Sequence, residues 1–69
     1  MKIPSVRKWR VEFRLDGAVV AEGEVKTHFP FQARSRAIEE LESQNARVKE
    51  TGFGVVVDRY DTIAVTALA

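Results

Sequence analysis

Residues 8–26, Lys8-Trp9-Arg10-Val11-Glu12-Phe13-Arg14-Leu15-Asp16-Gly17-Ala18-Val19-Val20-Ala21-Glu22-Gly23-Glu24-Val25-Lys26, hold two alternations that meet at a turn. Trp9, Val11 and Phe13 are separated by Arg10 and Glu12. Beyond Gly17, Val19, Ala21, Gly23 and Val25 are separated by Val20, Glu22 and Glu24. Successive side chains of a strand point to opposite faces, so each run predicts a strand with one buried and one wet face. Asp-Gly between them predicts a tight hairpin.

The register follows from matching faces. A two-residue loop at Asp16-Gly17 pairs Leu15 with Ala18, which sets Val11 opposite Glu22 and Trp9 opposite Glu24. Directly paired residues share a face, so charges would enter the core. A three-residue loop, with Gly17 in the left-handed position, instead pairs Phe13 with Val19, Val11 with Ala21 and Trp9 with Gly23. It also brings Arg10 to Glu22 and Lys8 to Glu24 on the wet face. Both faces improve together, and the three-residue loop is expected.

Outward from the hairpin, strand one is expected over about Arg7 to Arg14 and strand two over about Ala18 to Lys26. Lys2 to Arg7 forms a lead-in in which Pro4 opposes helix. Thr27-His28-Phe29-Pro30 breaks the alternation, and Pro30 suits the first position of a helix, where its missing N–H costs nothing. Ala37, Ile38 and Leu41 then fall on one stripe, with Arg36, Glu39, Glu40 and Glu42 off it. The helix is expected to end between Asn45 and Lys49, with a run to a left-handed cap at Gly52 as the alternative.

Phe53, Val55 and Val57 alternate as a third strand, and Ile63, Val65 and Ala67 as a fourth. Arg59-Tyr60-Asp61 is the expected loop between them, with Asp61 left-handed. Val57 would pair with Ile63 and Val55 with Val65. The fold class is therefore α+β: a single domain over residues 1–69, two-layer ββαββ, with one helix on a four-stranded antiparallel sheet in the order 2-1-3-4. The expected core is Trp9, Val11, Phe13, Val19, Ala21, Val25, Ile38, Leu41, Phe53, Val55, Val57, Ile63 and Val65.

Composition narrows what such a domain can be. Its 69 residues include no cysteine, so neither a disulfide nor a thiolate metal site supports the core. A core of this size supplies only roughly 3–5 kcal/mol. No apolar run approaches the ~18 residues of a membrane span, and Met1-Lys2-Ile3-Pro4-Ser5 lacks a signal-peptide core. The expectation is a soluble, cytoplasmic protein without membrane partners. The net charge of +1 suits neither a nucleic-acid sponge nor an acidic nucleic-acid mimic.

Chemistry-bearing motifs are sparse. His28 is the one histidine, and no carboxylates at ligand spacing flank it, so it reads as a loop histidine rather than a metal ligand or a base for Ser35. Glu39 and Glu40 point about 100° apart on a helix, and Arg36 lies four residues before Glu40 as an ordinary surface pair. Gly52-Phe53-Gly54 is followed by no Lys-Ser/Thr and is no phosphate loop. No catalytic residue, metal site or cofactor is expected.

Basic residues cluster more suggestively. Lys2, Arg7, Lys8 and Arg10 crowd the first ten positions, and Arg34 and Arg36 oppose the dipole of the helix they begin. With Lys26 and His28 they could form a corner that binds phosphates or an acidic protein surface. A sheet that reads RNA usually stacks bases on aromatics, and here the open face offers only Tyr60, at a hairpin tip. Phe29 and Phe31 flank Pro30. Core packing is the first expectation for both, with one of them as an exposed knob for a partner the alternative. The candidate partner-binding residues are Arg7, Lys8, Arg10, His28, Phe29, Arg34 and Arg36. The last strand, Thr62 to Ala69, has no charge, proline or glycine, so it lacks the usual protection of a free edge. It is expected to pair with a second copy in a homodimer.

The order of these elements, with Trp9-Arg10-Val11-Glu12-Phe13, Asp16-Gly17, a valine-bearing return strand and an alanine-containing helix, resembles some very small phage-borne proteins. Certain type I anti-CRISPR proteins are among them. The resemblance covers most of the chain as layout, contains no diagnostic motif, and carries over no functional residue. It implies a protein that binds and blocks a bacterial surveillance complex. The expected function is thus a non-enzymatic protein-binding module, an inhibitor or accessory protein of a phage or mobile element. The alternative is a small nucleic-acid-binding protein that uses the basic first strand and the helix start.

Overall fold

A computed structural model describes residues 5–68 of the chain; Lys2 and Pro4 of the expected lead-in lie outside the described residues. The elements are β1 (Arg7–Leu15), β2 (Ala18–Thr27), α1 (Pro30–Thr51) and β3 (Thr62–Ala67). The helix packs on one face of an antiparallel three-stranded sheet in the order β2-β1-β3. The α+β class and the central place of strand one are as expected. A fourth strand is not present among the described residues.

The hairpin turn differs from the expected three-residue loop in an instructive way. Leu15 pairs with Ala18, so the loop is the two residues Asp16 and Gly17, with φ of 52° and 81°. Both positive angles give the turn whose twist matches a hairpin, and Asp-Gly is among the best sequences for it. That loop alone would have put Glu22 opposite Val11. Instead the register shifts between Phe13 and Arg14: Arg14 pairs with Val19 and Phe13 with Ala21, which leaves Val20 as an extra residue in a bulge. Beyond it Val11 faces Gly23 and Trp9 faces Val25. Arg10 meets Glu24 rather than Glu22, and Glu12 meets Glu22 as a like-charged pair. Arg14 relieves that pair by donating to Glu12 Oε1 at 2.8 Å.

Pro30 opens the helix as predicted, but the helix runs past the expected end near Asn45–Lys49. It stops at Gly52, whose φ of 79° lets its N–H reach Val48 O at 2.7 Å. The expected third strand begins just beyond this cap, at Phe53, and does not form. The 53–61 segment instead returns as an extended connector, and Asn45 acts as its hydrogen-bonding neighbour. The Val57 N–H donates to Asn45 Oδ1 at 2.9 Å, and Asn45 Nδ2 donates to Val57 O at 2.8 Å. A helix side chain thus satisfies both backbone groups that a sheet would have used.

The last strand takes the vacated place beside β1. Ile63 pairs with Phe13 and Val65 with Val11, not with Val57 and Val55. Asp61 is not left-handed; among the described residues Asp16 is the one non-glycine with positive φ. Asp61 serves as a clasp instead. Its N–H donates to Arg14 O at 2.9 Å, and its Oδ2 accepts from the Asp16 N–H at 3.2 Å.

The core is Trp9, Val11, Phe13, Val25, Ala33, Ala37 and Leu41. Val20, Ala21, Ile38, Val57, Tyr60, Ile63 and Val65 are half-buried around it. Tyr60 was expected at an exposed hairpin tip but packs edge-on against Phe13, ring centroids 4.9 Å apart. Three expected core residues are outside: Val19, displaced by the bulge, and Phe53 and Val55, which are 84% and 81% exposed on the connector.

Candidate functional site

The corner between β2 and α1 is built by a chain of hydrogen bonds that starts in the core. Buried Trp9 donates from its indole Nε1 to Thr27 O at 3.1 Å. The Thr27 hydroxyl then donates to Phe29 O at 3.0 Å. That same carbonyl accepts the backbone N–H groups of Gln32 and Ala33 at 3.1 and 3.2 Å, closing the first helical turn. Gln32 Oε1 reaches back to accept the N–H groups of His28 and Phe29 at 3.2 and 3.1 Å. This is the return half of a capping box, supplied three residues into the helix.

On this pinned backbone two aromatic side chains stand outside the core. Phe29 is 42% exposed and Phe31 67% exposed. Their rings are nearly parallel, 11° apart in plane, with centroids at 5.7 Å. Neither enters the core, contrary to the first expectation for them, because Ala33, Ala37 and Leu41 provide the buried stripe of the helix. Beside the pair lies an open hollow of about 440 Å³, lined by Val6, Lys26, Phe31, Ser35, Arg36 and Glu39 among others. His28 lines it too.

The predicted site residues do not gather into one patch. His28, Phe29 and Arg36 belong to this corner, and Arg7 lies next to it, paired with Thr27. Lys8 and Arg10 alternate with Trp9 and so project from the opposite face of the sheet. There Lys8 faces Lys26 across the strands, with Glu24 Oε2 4.0 Å from its Nζ. Arg34 is two helical positions from Arg36, about 200° around the axis, and does not share its surface. Val6 and Gln32 were missed, and Phe31 entered only as the alternative to core packing, as an exposed knob. For Phe31 the signal was its own position: the second of two phenylalanines bracketing a helix-initiating proline, one residue off the buried stripe.

The open sheet face mixes Lys8, Arg10, Glu12, Arg14, Glu22 and Glu24 and carries no aromatic side chain among the described residues. No cluster of metal-ligating side chains occurs among the described residues, and no helix is long and apolar enough to cross a membrane. Comparison of the chain with protein-family models, with curated proteins and with solved structures finds no match.

Proposed function

We propose that the protein is a non-enzymatic protein-binding module that docks through Phe29 and Phe31. The observation that carries this reading is a stacked aromatic pair held largely in water on a backbone that five hydrogen bonds immobilise. Exposed aromatics cost free energy in a free monomer, and rigid ones lose little entropy on binding. Aromatic anchors of this kind dominate protein interfaces. Lys26, Arg36 and Glu39 line the hollow beside Phe31, so the partner surface is an apolar pocket with a charged rim. A cytoplasmic inhibitor or accessory protein of a phage or mobile element is the biological setting that the layout resemblance supports. A second copy of the chain is a separate candidate partner, at the free edge of β3.

The nucleic-acid reading retains one supporting observation: Arg7, Lys8, Lys26 and Arg36 concentrate at one end of the molecule. A titration against duplex and single-stranded DNA at two salt concentrations separates the two. Binding that weakens steeply with salt and is lost in Lys26→Ala/Arg36→Ala supports the nucleic-acid reading. The protein-docking reading predicts no binding at low salt. It also predicts that one protein of the native host is retained by the wild type and by Arg10→Ala but not by Phe29→Ala/Phe31→Ala. Identical retention by all three would refute it.

A further inference from the structure

The free edge of β3 offers a second and independent surface. The Leu68 N–H donates to Lys8 O at 2.9 Å, which extends the β1–β3 register to a hydrogen-bonded pair at Lys8 and Leu68. Such pairs recur at every second residue of an antiparallel ladder. Thr62, Ala64 and Thr66 therefore turn their backbone groups toward β1, while Ile63, Val65 and Ala67 turn theirs outward. β3 pairs with β1 alone among the described residues, so those outward groups form an open ladder. The strand Thr62–Ala67 contains no charge, proline or glycine to discourage pairing.

Two further observations identify what would cover this edge. β3 contributes no buried member to the hydrophobic core. The buried members come from β1, β2 and α1, whereas Ile63 and Val65 of β3 and Ile38 of the helix remain half-buried. The strand is also complementary to itself. With a twofold axis at Val65, Val65 opposes its own copy, Ile63 opposes Ala67, and Ala64 opposes Thr66. Apolar side chains then meet on the helix-covered face and small neutral ones on the other. No like charges are brought together along the strand, and each outward N–H finds a carbonyl.

We propose that two copies of the chain associate edge to edge through β3, antiparallel about Val65, to form a continuous six-stranded sheet with both helices on one face. The contact involves one short strand from each copy and is small for a stable interface, and the dimer is expected to be populated at tens of micromolar. It uses neither Phe29 nor Phe31, and its failure would leave the docking proposal intact.

Sedimentation equilibrium over a concentration series tests this, with three variants. Wild type is expected to move from monomer to dimer as concentration rises. Ala67→Pro removes an outward N–H, leaves the β1 ladder whole, and is expected to stay monomeric with an unchanged circular-dichroism spectrum. Thr66→Pro, by contrast, strikes a donor to β1 and should unfold the sheet. Because the chain has no cysteine, Val65→Cys places a single thiol on the axis. It is expected to oxidise to a disulfide-linked dimer, whereas Ala64→Cys, which faces Thr66, is not. A wild type that stays monomeric at the highest concentration, or equal cross-linking of the two cysteine variants, would overturn the proposal. So would a dimer that persists in Ala67→Pro.

Discussion

Asp16 and Gly17 show how much single residues contribute here. Both hold left-handed backbone angles, which Asp tolerates and Gly adopts freely. Gly17→Val should lower stability by roughly 1–2 kcal/mol in urea denaturation, because a β-branched residue resists that conformation. Nothing lies within 4 Å of a Cβ at this position, so the loss would come from backbone strain alone. Val20 teaches the complementary lesson. The alternation on both sides of the turn was legible, and so was the glycine's positive φ. The bulge was not, because Ala18, Val19, Val20 and Ala21 are all apolar, so the one-residue change of phase leaves no mark in the hydrophobic pattern. The bulge keeps Trp9, Val11 and Phe13 opposite uncharged partners after a two-residue loop, while the other face accepts the like-charged pairs Glu12–Glu22 and Lys8–Lys26. The aromatic pair belongs to the same scale. Phe31→Ala should change stability by less than about 0.5 kcal/mol, as expected of an exposed side chain away from structural features. A thermal melt shifted well beyond that would show that Phe31 supports the fold rather than a partner.

Among the elements, the connector after α1 departs furthest from expectation. Its Phe53, Val55 and Val57 alternate as a strand would, yet Phe53 and Val55 face water and Val57 is held by Asn45. Alternation reports which side chains could share a face; it does not report what satisfies the backbone between them. Asn45 marked the start of the range in which the helix was expected to end, and its value lies in reaching Val57, twelve residues away. Asn45→Leu should therefore cost about 1–3 kcal/mol, since it leaves a partly buried N–H and C=O unpaired. Hydrogen exchange at the Val57 amide should accelerate in this variant more than exchange within β1. Equal protection of Val57 in both proteins would show that the connector is held by something other than this side chain. The start of the helix, by contrast, was readable from Pro30, because a local rule and the tertiary structure agree there.

At the scale of the whole molecule, the sheet's two faces divide structure from surface. One face carries Trp9, Val11 and Phe13 against the helix, and the other displays charges of both signs. That division split the predicted site: sequence neighbours Lys8 and Arg10 went to the open face, while His28, Phe29 and Arg36 met at the corner. A linear cluster of cations could not reveal this, since strand alternation and helical rotation distribute neighbours in opposite directions. The corner is tied to the core through Trp9, Thr27 and the Phe29 carbonyl, not through the phenylalanine rings, so docking and folding are separable by mutation. Replacing the exposed phenylalanines should abolish partner binding in a protein that melts as wild type does.

The most direct test is photocrosslinking with benzoylphenylalanine placed at position 31 or, as a control, at position 53, in cells of the native host. Both positions hold exposed phenylalanines, but only the first sits on the pinned corner beside the hollow. The account predicts a discrete adduct with one host protein from position 31 and none from position 53. No adduct from position 31, or the same adducts from both, would contradict it.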